Sequence, residues 1–218
     1  MKISGTAIQF TTVLDNVIFP IEQMSTVKLL AAAGFQPARP GALLPNNIVV
    51  QQGDLAIKNN TILSMNSQTM SIGVIGTTNH EVLQTITEVA TLLSKEGVDI
   101  DKNGKFHEML TDYVVETGKD PAKIIQKYFK SIPVYEQFDK IFQSKPPSLF
   151  SIRILPKDAI IDSAEFYDLR IEPTVHKPHS SYLCRLVFRS KDRKKTEKMI
   201  LELEKKVQSV IQIIEKEN

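Results

Sequence analysis

Two stretches of the chain decide the fold, because each joins an alternating apolar segment to an amphipathic one through a polar turn. Residues 70–93 read MSIGVIGTTNHEVLQTITEVATLL, and residues 182–207 read YLCRLVFRSKDRKKTEKMILELEKKV. In the first stretch, Thr78 and Glu81 have the spacing of a capping box, in which a hydroxyl and a carboxylate bond the first turn of a helix. Both stretches therefore predict a strand that is followed directly by a helix.

The elements around these two junctions predict that the chain repeats one order of elements. We expect residues 1–100 and residues 101–218 each to contain a strand, a helix, an antiparallel meander and a second helix. The first unit is predicted to have a strand over Lys2–Val13, a helix over Pro20–Ala33, a meander over Asn47–Gln52, Leu55–Lys58 and Thr61–Ile75, and a helix from Thr78 to about Lys95. The second is predicted to have a strand over Phe106–Glu116, a helix from Asp120 to about Lys130, strands over Leu149–Leu155, Glu165–Glu172 and Ser181–Arg189, and a long helix from Asp192.

This order predicts an α+β fold with an antiparallel sheet. The helices of each unit are expected to pack on one face of the sheet, and the two units can join their edges into one continuous curved sheet. In element order the chain resembles the duplicated saddle of the TATA-binding protein family. The resemblance implies a saddle-like architecture, and it implies no function, because unrelated functions share one fold.

The composition indicates a folded, cytoplasmic protein without a membrane segment. The chain has 218 residues, a formal charge of +2 and one cysteine, Cys184, which cannot form an internal disulfide and fits a reducing compartment. The N-terminus lacks the continuous apolar run of a signal peptide, and no run approaches the roughly 18 apolar residues of a membrane helix. Residues 1–94 carry only four basic and five acidic residues. The polar face of the first unit is therefore expected to be nearly uncharged, and a partner or a second layer could cover it at a low free-energy cost.

The stretch DIDKNGKFHEML, residues 99–110, is similar to a calcium-binding loop at its start. Asp99, Asp101 and Asn103 occupy the positions of oxygen ligands, and Gly104 occupies the position of the sharp turn. The closing carboxylate at the twelfth position is replaced by Leu110. The alternative is a polar turn, in which Asp, Asn and Gly are favoured for their backbone conformations.

Arginines recur on the predicted strands of the second unit. Arg185 and Arg189 lie on the side of their strand opposite Cys184, because side chains alternate along a strand. If that face is open, its guanidinium groups could bind nucleic-acid phosphates or an acidic protein. The alternative is ion pairing with the acidic residues Glu165, Asp168 and Glu172 of a neighbouring strand. The candidate anion-binding residues are Arg153, Arg170, Arg185 and Arg189.

The last helix has an apolar stripe with helical spacing. Packing on the chain's own sheet explains such a stripe, and a self-complementary seam would instead make a homodimer. The residues of the stripe are Ile200, Leu203, Val207, Val210 and Ile214.

These patterns favour an interaction protein that acts by binding, through an open sheet face or a dimer surface, over an enzyme. No nucleophile with a base, complete metal shell or cofactor loop stands out in the sequence. The expected partner is a second copy or another protein, and no membrane. The alternatives are a nucleic-acid-binding protein that uses the sheet arginines, a metal-dependent hydrolase and a small-ligand-binding protein.

Overall fold

Nine strands and four helices make up the described part of the chain. The structure is a computed structural model, and it describes residues 1–15, 24–45, 47–66, 68–129 and 150–216. The strands are β1 (Lys2–Leu14), β2 (Gln36–Pro37), β3 (Asp54–Lys58), β4 (Thr61–Asn66), β5 (Ser71–Gly76), β6 (Gly104–Glu116), β7 (Ile152–Ile154), β8 (Phe166–Pro173) and β9 (Ser181–Ser190). The helices are α1 (Met24–Ala32), α2 (Asn79–Lys95), α3 (Pro121–Phe129) and α4 (Arg193–Lys216). The predicted α+β class is confirmed.

The nine strands form one open antiparallel sheet in the order β2-β3-β4-β5-β1-β6-β9-β8-β7. The two long strands β1 and β6 lie side by side at its centre and pair from Lys2 with Glu116 to Leu14 with Gly104. On one side β1 pairs with β5, and on the other side β6 pairs with β9. The sheet is therefore continuous across both parts of the chain.

Alternation along the strands gives the sheet a buried face and an open face. In β1, Ile8, Phe10 and Leu14 are buried, while the intervening Gln9 and Thr11 are only partly buried. One hydrophobic cluster contains the buried residues of the central strands together with residues of all four helices. The described helices therefore cover the same face of the sheet, and we call the opposite face the open face.

Helix α2 begins with the predicted capping box. Thr78 has extended backbone dihedrals, and its Oγ1 accepts a hydrogen bond from the backbone N–H of Glu81 at 3.2 Å. The same hydroxyl donates to the Glu81 carboxylate at 2.6 Å. This local geometry fixes the point where β5 gives way to α2.

The predicted meander differs from the structure in two places. Asn47–Gln52 is no strand: Asn47 has a φ of 63°, and the surrounding segment folds over the open face, where Leu44 and Val50 pack on Ile62. The predicted Thr61–Ile75 segment is two strands, β4 and β5. They are separated by a turn in which Asn66 Oδ1 accepts bonds from the backbone N–H groups of residues 68 and 69.

Parts of three predicted elements lie outside the described residues. These parts are residues 20–23 of the first predicted helix, residue 130 at the end of the helix predicted from Asp120, and residue 149 of the predicted strand Leu149–Leu155. Among the helices that the structure describes, none combines the length and the apolar character needed to cross a bilayer.

Candidate functional site

The open face carries the arginines that the sequence singles out. Arg153, Arg170 and Arg185 lie directly opposite one another on β7, β8 and β9, and Asp112 of β6 continues this row. Arg189 lies four residues beyond Arg185 on the same face, opposite Glu108 of β6. The strands therefore bring all four arginines to one surface.

Each of these arginines is held by a carboxylate. Arg185 donates to Asp112 through Nε and Nη2, at 2.8 Å each. Arg153 binds Asp168 in the same two-pronged way at 2.9 and 2.6 Å, and Arg170 pairs with Glu172 at 2.7 Å. The hydrogen bonds from Asp168 and Asp112 raise the pKa values of Arg153 and Arg185 above their usual range.

The contacts of Arg189 extend beyond its carboxylate. Its Nε donates to Glu108 Oε2 at 2.8 Å, and its Nη1 donates to the backbone carbonyl of Ile161 at 2.7 Å. The guanidinium also lies over the rings of Phe106 and Phe166, at 4.5 and 5.4 Å from their centroids. Arg189 thus anchors the loop between β7 and β8 to the centre of the sheet.

These pairs leave the open face less available to phosphate groups than four unpaired arginines would be, because each guanidinium already has a carboxylate beside it. The sequence predicted cross-strand pairing of the arginines with Glu165, Asp168 and Glu172. Asp168 does pair across strands with Arg153, whereas Glu172 pairs with Arg170 of its own strand and Glu165 pairs with a lysine. The sequence prediction missed Glu108 and Asp112, which lie 81 and 73 residues before Arg189 and Arg185 in the chain. Side chains alternate along β6, and this alternation could have placed both carboxylates on the open face.

A cleft of about 970 Å³ runs across the open face beside Arg189. Its floor follows one cross-strand row that passes from Ser64 through Gly73 and Thr11 to Glu108. Gly73 is the low point, since a Cβ there would lie 3.0 Å from Ser64 Oγ and 3.2 Å from Thr11 Oγ1. The described residues that line the cleft are Gln9, Thr11, Val13, Gln51, Gln52, Gly53, Asp54, Ser64, Met65, Asn66, Gln68, Thr69, Ser71, Gly73, Ile75, Lys105, Phe106, Glu108, Asp162 and Arg189.

The lining of the cleft is dominated by uncharged amide and hydroxyl side chains. Of its charged residues, Glu108 and Arg189 are paired with each other, and Asp54 Oδ2 accepts from the backbone N–H of Gln51 at 2.7 Å. Of the residues that line the cleft, the sequence singled out Arg189 as a candidate site residue. The sequence signal for this surface was the largely uncharged, polar character of residues 51–70, which predicted that the face could be covered at a low free-energy cost.

The loop that was similar to a calcium site forms a polar turn. Asp99 Oδ1 accepts hydrogen bonds from the backbone N–H groups of Asp101 and Lys102, at 3.0 Å each. Asp101 pairs with Arg193 Nε at 3.0 Å. Among the described residues, no three His, Cys, Asp or Glu side chains are placed to hold a metal ion. The contacts of Asp99, Asp101 and Asn103 therefore lend the calcium hypothesis no support.

The apolar stripe of the last helix packs into the core of its own chain. Ile200, Leu203 and Val207 are buried, as is Ile214, and Val210 is partly buried against the same cluster. Cys184 is buried in that cluster too, and burial raises the pKa of its thiol to about 12. These residues account for packing within one chain.

A second cavity, of about 350 Å³, lies at the start of α4 beside His107. His107 is fully buried, its Nδ1 lies 2.9 Å from Thr12 Oγ1, and its Nε2 has no partner among the described residues. The other residues that line this cavity are Asp101, Lys191, Asp192, Arg193 and Lys194. Their charges nearly balance, so the cavity has no clear preference for an anion or a cation.

Comparisons with family models and with curated proteins identify no relative of this chain. No family model matches it, and a search of curated proteins finds no match. Any account of its function therefore depends on the geometry of the cleft and the open face.

Proposed function

We propose that this protein acts by binding a partner in the cleft of the open face. The observation that carries the proposal is the cleft itself, a depression of about 970 Å³ on a face that no described helix covers. Ligand sites are concave and lie on rigid scaffolds, and this floor consists of four neighbouring strands. The arginines beside the cleft are neutralised by carboxylates, so the uncharged lining is the part of the face with unused hydrogen-bonding groups.

The support for nucleic-acid binding by the sheet arginines is weaker. Non-specific binding to phosphates requires several cations that are free to replace counterions. Arg153, Arg170, Arg185 and Arg189 each have a carboxylate partner instead. A homodimer through α4 has less support as well, because its apolar stripe is used inside one chain.

We also propose that the chain consists of two matched units, similar in arrangement to the duplicated saddle of the TATA-binding protein. The support is the sheet order, in which, apart from the two-residue edge strand β2, the strands follow the same sequence outward from the centre. From β1 it runs to β5, β4 and β3, and from β6 it runs to β9, β8 and β7. In both directions the last strand before the long helix lies next to the first strand of the unit.

For the compartment, we propose the cytoplasm. The single cysteine, Cys184, is free and buried, which is the usual state of a cysteine in a reducing environment. A cleft that recognises a partner would then operate among other cytoplasmic proteins.

The test of the cleft is a crystallographic screen with small, uncharged polar fragments. We expect the bound fragments to concentrate in the cleft of the wild-type protein. Thr11→Phe places a large ring on the cleft floor and should remove them. Ser4→Phe is the matched control, because Ser4 lies on the same strand and face but outside the lining. Fragments that avoid the cleft, or that remain bound in Thr11→Phe, would contradict the proposal.

A further inference from the structure

The chemistry of the cleft narrows the class of partner that it can hold. An amide side chain offers both a donor and an acceptor, which is the same pair that a peptide unit offers. Gln9 Nε2 donates to Thr11 Oγ1 at 3.0 Å, and its side-chain carbonyl oxygen has no partner among the described residues. The side-chain amides of Gln51, Gln52 and Gln68 have no partner among the described residues. A ligand with alternating donors and acceptors therefore fits this surface.

The same lining disfavours a charged ligand. A buried charge needs a partner of opposite sign, and otherwise it loses its hydration without compensation. Glu108 and Arg189 already neutralise each other. Of the other charged residues in the described lining, Lys105 is basic, whereas Asp54 and Asp162 are acidic, so the lining has no excess of positive charge. A phosphate-bearing chain would gain no net attraction from such a lining.

The described part of the cleft also offers little aromatic surface. Nucleobases bind single-strand sites by stacking on aromatic rings, and sugar rings pack on such faces in a similar way. Phe106 is the one aromatic residue among those described in the lining, and the guanidinium of Arg189 lies 4.5 Å from the centre of its ring. One face of that ring is therefore occupied.

An apolar step adjoins the cleft. Ile160 and Ile161 are 70 % and 71 % exposed, and they precede Asp162, which lines the cleft. Arg189 holds this step in place through its bond to the Ile161 carbonyl. Two neighbouring exposed isoleucines on a fixed loop offer an anchor to an apolar side chain of a partner. A polypeptide supplies such side chains together with backbone amides, whereas a polysaccharide or a nucleic acid does not.

We propose that the occupant of the cleft is an extended, uncharged polypeptide segment of a partner protein. Its backbone amides pair with the glutamine side chains of the cleft, and one of its apolar side chains packs on Ile160 and Ile161. This inference rests on the proposed function of the cleft. It adds the class of ligand and the step that anchors it.

The test is a selection from a displayed library of random peptides of about 12 residues, with a glycan array and single-stranded oligonucleotides as competing classes. We expect enriched peptides that lack net charge and carry an apolar residue. Their Kd, measured by fluorescence polarisation, should change little between low and moderate salt, because few counterions are released.

Variants of the apolar step decide whether the selected peptides use the predicted surface. The double variant Ile160→Ser and Ile161→Ser should raise the Kd about tenfold or more. The two isoleucine side chains are largely exposed in the wild-type protein, so the double variant should keep the fold. Val175→Ser is the matched control, since Val175 is 84 % exposed on another loop, and the Kd should not change.

The outcomes separate the two proposals. Binding of glycans or oligonucleotides instead of peptides would overturn the polypeptide class, and so would a Kd that ignores the isoleucine variants. If fragments occupy the cleft while no peptide is enriched, the cleft is a site for another ligand. If fragments avoid the cleft as well, the proposed function itself fails.

Discussion

His107 is the residue whose charge state is most closely tied to the fold. It is fully buried, and its Nδ1 bonds with Thr12 of the neighbouring strand. Burial lowers the pKa of His107 below its ordinary value of 6.5, and Arg193 also lowers it, against the opposing effects of Asp101 and Asp192. The folded protein therefore keeps this imidazole neutral at a pH where an unfolded chain would protonate it.

This difference predicts that acid weakens the fold through His107. As the pH falls through about 6.5, the unfolded state binds a proton that the folded state does not bind, so the free energy of unfolding decreases. Urea unfolding at about pH 7.5 and pH 5.5 measures the loss. His107→Asn keeps a hydrogen-bonding group for Thr12 but does not titrate, and it should show a smaller loss.

The control is His176→Gln, which removes a histidine with an exposed side chain. It should retain the wild-type dependence on pH. Carboxylates such as Glu116, whose pKa is lowered by the hydrogen bond from Lys177, act at a lower pH than this window. Equal pH dependence in the wild type and in His107→Asn would show that this histidine has no such role.

Gly76 predicts a steric effect at the end of β5. A Cβ at this position would lie 2.9 Å from Val82 Cγ2 and 3.0 Å from Thr61 Cγ2, and both groups are packed in the core. Gly76→Ala should therefore lower the free energy of unfolding by about 1–3 kcal/mol. At Gly118 a Cβ would meet no atom within 4 Å, so Gly118→Ala should be near neutral in the same urea titration. A harmless Gly76→Ala would mean that α2 can shift away.

At the scale of single residues, the sequence predicted which side chains share a face of the sheet more accurately than it predicted which side chains contact each other. Alternation placed Arg185 and Arg189 opposite Cys184, as the structure does. The partners of these arginines on β6 depend on which strands are neighbours, and local sequence carries little information about strand order. The cleft was out of reach for the same reason, because its walls come from segments far apart in the chain.

Among the elements, α4 shows most clearly how one sequence pattern can allow two interpretations, between which the packing in the structure distinguishes. Its stripe favours packing in the chain's own core, and it would also suit a dimer seam. The structure packs that stripe on β6 and β9 of the same chain. Strand and helix junctions were predicted well where a side chain fixes them, as Thr78 does. The strand predicted over Asn47–Gln52 is wrong, because an apolar segment that packs over a sheet can have the same sequence pattern as a strand within the sheet.

The packing of α4 predicts a contrast between two leucines two residues apart. Leu203 is fully buried, whereas Leu201 is 64 % exposed. Leu203→Ala should lower the free energy of unfolding by about 2–5 kcal/mol, and Leu201→Ala should change it by less than about 0.5 kcal/mol.

The same pair tests the dimer alternative. If α4 packs only within its own chain, the stability of Leu203→Ala should not depend on protein concentration. Thermal unfolding over a range of concentrations, with sedimentation as a check on mass, measures this. A midpoint that rises with concentration in the wild type and not in the variant would favour a dimer seam.

For the molecule as a whole, the central pair of strands links both parts of the chain. β1 and β6 pair along nearly their whole length, and one hydrophobic cluster runs through both parts. The protein should therefore unfold as a single cooperative unit, although its length would allow two domains.

Met109 at the centre of β6 tests this cooperativity. It is fully buried between Phe10 of β1 and Phe188 of β9. Met109→Ala should increase hydrogen exchange in β5 and in β8 together, as global unfolding requires. Leu110→Ala, on the open face, is the control and should have a smaller effect. Increased exchange in one part alone would show that the parts unfold separately.

The edge strand β2 has a consequence for how this molecule meets others. It is only two residues long, and Pro37, one of the two, has no N–H to offer a further strand. Short edges that contain proline resist growth of a sheet by strand addition. A partner therefore cannot extend the sheet at this edge by β-strand addition and has to bind the face of the sheet instead. For the same reason, neighbouring copies cannot pair edge to edge through β2.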